Sequence, residues 1–116
     1  MADDLTIWHN PRCSKSRSTL EILEGKGVEP SVVKYLDEAP TRSEIEGVLA
    51  KLGTDDPMAI VRTGEDRWKE LGIDKGDRDA VLDALAANPI LIERPIVMKG
   101  DRAVIGRPPE NVLGLL

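Results

Sequence analysis

Two hydrophobic periods alternate along the chain, and the changes between them mark its elements. The segment LTIWH, residues 5–9, is short, partly β-branched and aromatic, which predicts a strand. Pro11 interrupts it. In SKSRSTLEILEGKG the apolar positions Leu20 and Leu23 then follow helical spacing, with Gly25 and Gly27 as candidate ends. SVVKYL, residues 31–36, predicts a second strand. Strand, helix and strand within about thirty residues form a βαβ unit, expected to be parallel with a right-handed crossover.

In TRSEIEGVLAKLG, Thr41 and Glu44 have the spacing of a capping box. Ile45, Val48, Leu49 and Leu52 fall at i, i+3, i+4 and i+7, so one helix face is buried and Gly53 ends it. The middle, DDPMAIVRTGEDRWKELGIDKGDRDAVLDALAANP, reads as short helices separated by Gly and Pro. The clearest is 78–87, with Val81, Leu82 and Leu85 inward. The period then changes to that of strands. PIVMKGDRAVIG holds two around Gly100-Asp101, a two-residue hairpin signal with glycine at the first central position. PPENVLGLL predicts a short closing helix, since proline is tolerated in a first turn. The predicted fold class is α/β, in the order β-α-β, helical insertion, β-β-α. With no internal repeat, linker or low-complexity segment, residues 1–116 are expected to form a single domain.

Composition narrows the class. A chain of 116 residues is long enough for one real core. Hydrophobic residues make up 41% and charged residues 32%, ordinary values for a globular protein. With no phenylalanine, the core must be built from Leu, Ile, Val and Ala. MADDLTIWHN has no basic region followed by an apolar run, so no export signal is expected. No apolar segment approaches the roughly 20 residues that span a bilayer. A single cysteine forms no internal disulfide, and the expected location is cytoplasmic. The net charge of −5, with no basic run or aromatic platform, argues against a nucleic-acid binder. The informative charge is local: Arg12, Lys15, Arg17, Arg62, Arg94 and Arg107 stand in otherwise acidic sequence.

The lone thiol, Cys13, falls where the first helix begins, among Arg12, Lys15 and Arg17. Helix N–H groups, the positive end of the dipole and nearby cations all favour thiolate over thiol. The bland alternative is a small buried core residue, which a lone cysteine usually is. Polar, basic neighbours and the proline turn favour a reactive thiol. CSKS is Cys-x-x-Ser, the dithiol redox motif with its second sulfur replaced. After reaction, therefore, Cys13 has no internal resolving partner, and an outside thiol must clear any adduct. A Cys-x5-Arg phosphate loop is excluded because the required position is Thr19. His9, four residues before Cys13, is either an ordinary strand-end histidine or a group that helps hold the thiolate's charge.

VRTGE, ERPIV and IGRPP set Arg62, Arg94 and Arg107 at element junctions, where open α/β layers bind ligands. Guanidinium forks grip oxyanions with paired donors; the alternative is ordinary surface charge. The segments HNPRCSKSRSTLEIL, VRTGEDRWKELG, NPILIERPIV and IGRPPENVL occur in this order. From about residue 5 to residue 116 the chain resembles the ArsC-type, glutaredoxin-coupled arsenate reductases.

That resemblance implies a thioredoxin-like fold with a helical insertion. By position it makes Cys13 the nucleophile that attacks arsenate and His9 the histidine that helps keep the thiol ionised. Ser16 matches a serine that hydrogen-bonds nearby, and Arg62, Arg94 and Arg107 match the arginines that bind the oxyanion and its adduct. Asn10 and Arg17 match supporting positions, and Pro95 falls where thioredoxin-like folds carry a cis-proline. No metal or bound cofactor is implied; glutathione and glutaredoxin act as external reductants. Two alternatives share the fold. One is an Spx-type regulator that docks on RNA polymerase, though a disulfide switch is impossible with Ser16 in place of the second cysteine. The other is a glutathione-dependent thiol reductase not acting on arsenate, as in monothiol glutaredoxins, which lack the three-arginine set.

Overall fold

The computed structural model describes residues 5–116. Residues 1–4, on which the expectation of no export signal partly rests, lie outside the described part. Two compact units are present: one runs to Glu38 and resumes over Arg94–Leu116, and the other is Ala39–Glu93.

The first unit is built on the predicted βαβ. Strand β1 (Leu5–Trp8) pairs in parallel with β2 (Ser31–Val33), Ile7 opposite Val32. Strand β2 is shorter than SVVKYL predicted, for a local reason. The Lys34 carbonyl accepts the N–H groups of both Asp37 and Glu38, so the chain turns out of the sheet there. Helix α1 (Ser14–Gly25) joins the two strands. Its buried positions are Ser16, Thr19 and Leu23, an unusually polar face toward its start. Gly25 stays helical, and Gly27, at φ +77°, supplies the left-handed turn that ends the helix.

Strand β3 (Ile96–Lys99) lies antiparallel to β1, and β4 (Arg102–Ile105) antiparallel to β3, giving the order β2-β1-β3-β4. Ile96, Val97 and Met98 are all buried, as expected of an inner strand covered on both faces. Lys99 faces Arg102 across the hairpin, with Gly100 at φ +61° and no positive φ at Asp101, matching the glycine-first turn. The closing segment Pro109–Leu115 is a 3-10 helix rather than an α-helix. Pro108 caps its start, where a missing N–H costs nothing, and Gly114 weakens its end. It still completes the core: Val112 and Leu115 pack with Leu5, Ile7, Leu23 and Val97. This four-stranded mixed sheet with its helix is the α/β, thioredoxin-like fold, and the helical insertion forms the second unit.

In that unit, α2 (Arg42–Leu52) has the capping box at Thr41 and Glu44 and ends at Gly53, φ +83°. It buries Ile45, Val48 and Leu49, with Leu52 half-buried. Helix α3 (Asp66–Leu71) is short, and α4 (Arg78–Ala87) is capped by the Asp77 side chain and buries Val81, Leu82, Ala84 and Leu85. The Arg42 guanidinium links α2 to α4 through Asp79 and Asp83 and also pairs with Glu46. Those three carboxylates raise its already high pKa further.

Candidate active site

Strand β1 delivers its last groups to a tight loop. The His9 N–H still reaches the Val33 carbonyl at 2.8 Å, so strand pairing persists one residue past Trp8. The chain then closes on itself. The Asn10 side-chain oxygen accepts the Arg12 N–H at 3.0 Å, and the Asn10 carbonyl accepts the Cys13 N–H at 3.0 Å. Arg17, exposed on α1, donates to the Pro11 carbonyl at 3.0 Å and ties the helix to the loop.

Cys13 is the N-cap of α1: its backbone is extended and its carbonyl accepts the Arg17 N–H. Its side chain makes no capping hydrogen bond. The sulfur thus sits at the start of a twelve-residue helix without being spent on it. The residue is 8% exposed, and an arginine approaches it: Arg107 Nη2 lies 3.9 Å from Sγ. Arg107 follows β4 and donates its Nε–H to the Arg94 carbonyl at 2.9 Å, so the two arginine junctions are physically joined.

In Arg94, Nε and Nη1 are buried and have no hydrogen-bond partner. Guanidinium is always charged, and each unmet buried donor costs about 1–3 kcal/mol or more, so these donors suit an anion. The Arg94–Pro95 peptide is cis, as the resemblance implied, and Arg107–Pro108 is cis as well.

Burial lowers the pKa of His9, which is 6% exposed, and the positive charges of Lys34 and then Arg17 lower it further. Both effects favour the uncharged ring. Its Nδ1 lies 2.7 Å from the Ser16 hydroxyl, which also accepts the Asn10 N–H at 3.0 Å. The described hydrogen bond of the His9 ring goes to Ser16, three residues beyond Cys13. If Nδ1 carries the proton, both contacts donate to the serine oxygen and its own O–H is free to point elsewhere.

Arg62 belongs to the other compact unit. There its guanidinium contacts Glu65 and, at 3.8 Å, Glu93. The structure thus brings together Cys13, Arg107 and the Arg94 junction, and separately His9, Ser16 and Asn10; the described ion pairs of Arg62 are with carboxylates.

Two features escaped the sequence. Gly106 donates its N–H to the Pro95 carbonyl at 2.8 Å, and a Cβ there would stand 2.6 Å from Thr19 Oγ1 and 2.8 Å from Pro95 Cγ. Only glycine lets α1, the Pro95 turn and the Arg107 junction meet this closely. The signal was the glycine directly before Arg107 in IGRPP. The second is a cavity of about 310 Å³, lined by His9, Asn10, Pro11 and Arg12 of the loop and by Lys34, Leu36 and Asp37 beyond β2. Lys34 and Asp37 lay in the segment read as a strand or just past it, and no pattern distinguished them. Among the described residues, no group of three or more His, Cys, Asp or Glu side chains is arranged to hold a metal, and no helix is long and apolar enough to cross a membrane.

Chemically, this arrangement sets a sulfur at a helix start within reach of a guanidinium fork, with the unpartnered Arg94 donors on the residue whose carbonyl Arg107 holds. A family model described as the ArsC family matches residues 8–115. An arsenate reductase of Neisseria meningitidis is 46% identical over 115 residues, covering 97% of this chain and 98% of the relative. An arsenate reductase of Haemophilus influenzae is 45% identical over 112 residues, covering 95% and 97%. A solved arsenate reductase from Vibrio cholerae superposes with a TM-score of 0.94 at 44% identity, covering the whole of both chains.

Proposed function

The chain belongs to the ArsC family, and from that premise we propose that it is an arsenate reductase working through a covalent adduct on Cys13. Glutathione and glutaredoxin serve as its reductants, in the cytoplasm. The names of the relatives support arsenate as substrate. The observation that carries the catalytic reading is the Arg107 guanidinium 3.9 Å from the Cys13 sulfur. The unpartnered Arg94 donors support an oxyanion beside it.

In this mechanism arsenate is held by Arg94 and Arg107. The Cys13 thiolate attacks arsenic(V) and displaces one oxygen, which leaves protonated as water; an S–As bond forms without change of oxidation state. Glutathione then adds to the same arsenic by the same exchange. A glutaredoxin thiolate attacks the glutathionyl sulfur, forming a mixed disulfide. The electron pair of the broken S–As bond stays on arsenic, which becomes arsenic(III). Water releases arsenite and returns Cys13 as the thiol. The arginines act by preorganised charge, and Ser16, oriented by His9 and Asn10, offers a hydroxyl at the first turn of the same helix. The absence of a second cysteine in CSKS accords with outside thiols doing the reduction.

The test is arsenite formation from arsenate by the purified protein. Arsenite should accumulate with glutathione and glutaredoxin together, fall to background when either is omitted, and stay at background in Cys13→Ser. Full activity in Cys13→Ser, or no activity in the wild type with both reductants, would overturn the reading.

A further inference from the structure

Beside the thiol loop lies a cavity that the steps above leave unassigned. One wall is the loop that runs from His9 through Asn10 to Arg12, the residue next to Cys13. The other is the turn that follows β2, where the Lys34 carbonyl holds the N–H of Asp37 and brings those two residues to one rim. Its volume of about 310 Å³ is at the low end of small-ligand clefts, which run from about 300 to 1,000 Å³. Its charged lining is two cations, Arg12 and Lys34, and one carboxylate, Asp37, with the exposed Leu36 as an apolar wall.

We propose that this cavity binds the thiol peptide co-substrate, with Lys34 and Arg12 taking its two carboxylates and Asp37 its ammonium group. The inference rests on the proposed function for the need of such a peptide, and on the cavity for where it binds. The charge pattern selects the ligand. A tripeptide thiol such as glutathione presents two carboxylates and one ammonium, the complement of two cations and one carboxylate. A bare oxyanion satisfies the cations but meets Asp37 as a like charge. The peptide's size matches the cavity, and Leu36 would be covered by its apolar stretch. Location fits the chemistry too: a ligand against Arg12 is one residue along the chain from the sulfur whose adduct it must reach. The site also communicates with His9, which lines the cavity and already feels the charge of Lys34.

The experiment uses S-methylglutathione, which keeps all three charges and has no free thiol, titrated into the full chain and followed by amide chemical shifts. Saturable shifts should centre on His9–Arg12 and Lys34–Asp37. Lys34→Gln and Asp37→Asn should each weaken binding about fivefold, the scale of an exposed ion pair. S-methylglutathione with both carboxylates esterified should bind the wild type more weakly, and Lys34→Gln should cost it little more. Inorganic phosphate should leave these shifts unchanged. Binding equally tight in Lys34→Gln and Asp37→Asn, shifts centred elsewhere, or displacement by phosphate from the same residues would each overturn the proposal. Binding needs no arsenate, so a protein that binds the peptide here yet reduces no arsenate would refute the proposed function alone. One that reduces arsenate without this binding would refute the inference alone.

Discussion

Arg94 and His9 show how single side chains carry the site. Arg94 has two buried donors with no partner, and lysine can restore the charge but not the fork. Arg94→Lys should therefore lower kcat/KM for arsenate by about 10²–10³-fold, the loss seen when one preorganised donor is removed. Steady-state kinetics checks this, and an unchanged value would take Arg94 out of the site. His9 makes a prediction about pH. Burial, Lys34 and Arg17 hold its folded pKa below the ordinary value, so the unfolded chain takes up the proton more readily. The contribution of His9 is intact above the unfolded pKa of about 6.5 and is lost as pH falls from there toward the lower folded value. Melting temperature measured from pH 7.5 to 5 should fall less steeply in His9→Gln than in the wild type. Parallel curves would show that the ring is not held neutral.

At the scale of elements, the site depends on how closely α1 approaches the β3–β4 side of its unit. Thr19 is fully buried with its hydroxyl on the Lys15 carbonyl, and Gly106 lies against it and against Pro95. A methyl group at 106 has nowhere to go, so Gly106→Ala should destabilise the fold by about 1–3 kcal/mol, the usual cost of overpacking. Urea unfolding measures it. Thr19→Ala in the same chain should recover part of the loss, since it removes the nearest clashing atom. If Gly106→Ala unfolds at the wild-type urea concentration, α1 and the Pro95 turn do not approach Gly106 that closely. The closing helix and the short β2 belong to the same scale: the first stands where it was expected, in 3-10 form, and the second is cut short by the turn on the Lys34 carbonyl, which acts over only a few residues.

For the molecule as a whole, legibility followed the range of the interactions. The βαβ unit, the capped α2, the helix 78–87 and the glycine hairpin rest on local periods, caps and turns, and they stand where the pattern put them. The thiol at a helix start and the junction position of Arg107, which approaches it, were visible in the same way. What the chain did not disclose is non-local. The Lys34 charge that helps lower the pKa of His9, the Glu93 that engages Arg62, the Thr19–Gly106–Pro95 contact and the cavity beside Lys34 each join segments far apart in sequence. The net charge of −5 says little about the surroundings of the thiol, because Arg107 stands beside the sulfur in an otherwise acidic chain. The most direct measurement of the central claim is arsenic K-edge X-ray absorption on the protein frozen after mixing with arsenate alone, before any other thiol is present. The account predicts a sulfur in the first shell of arsenic that is absent from Cys13→Ser. An oxygen-only shell in wild-type protein that goes on to reduce arsenate would contradict it.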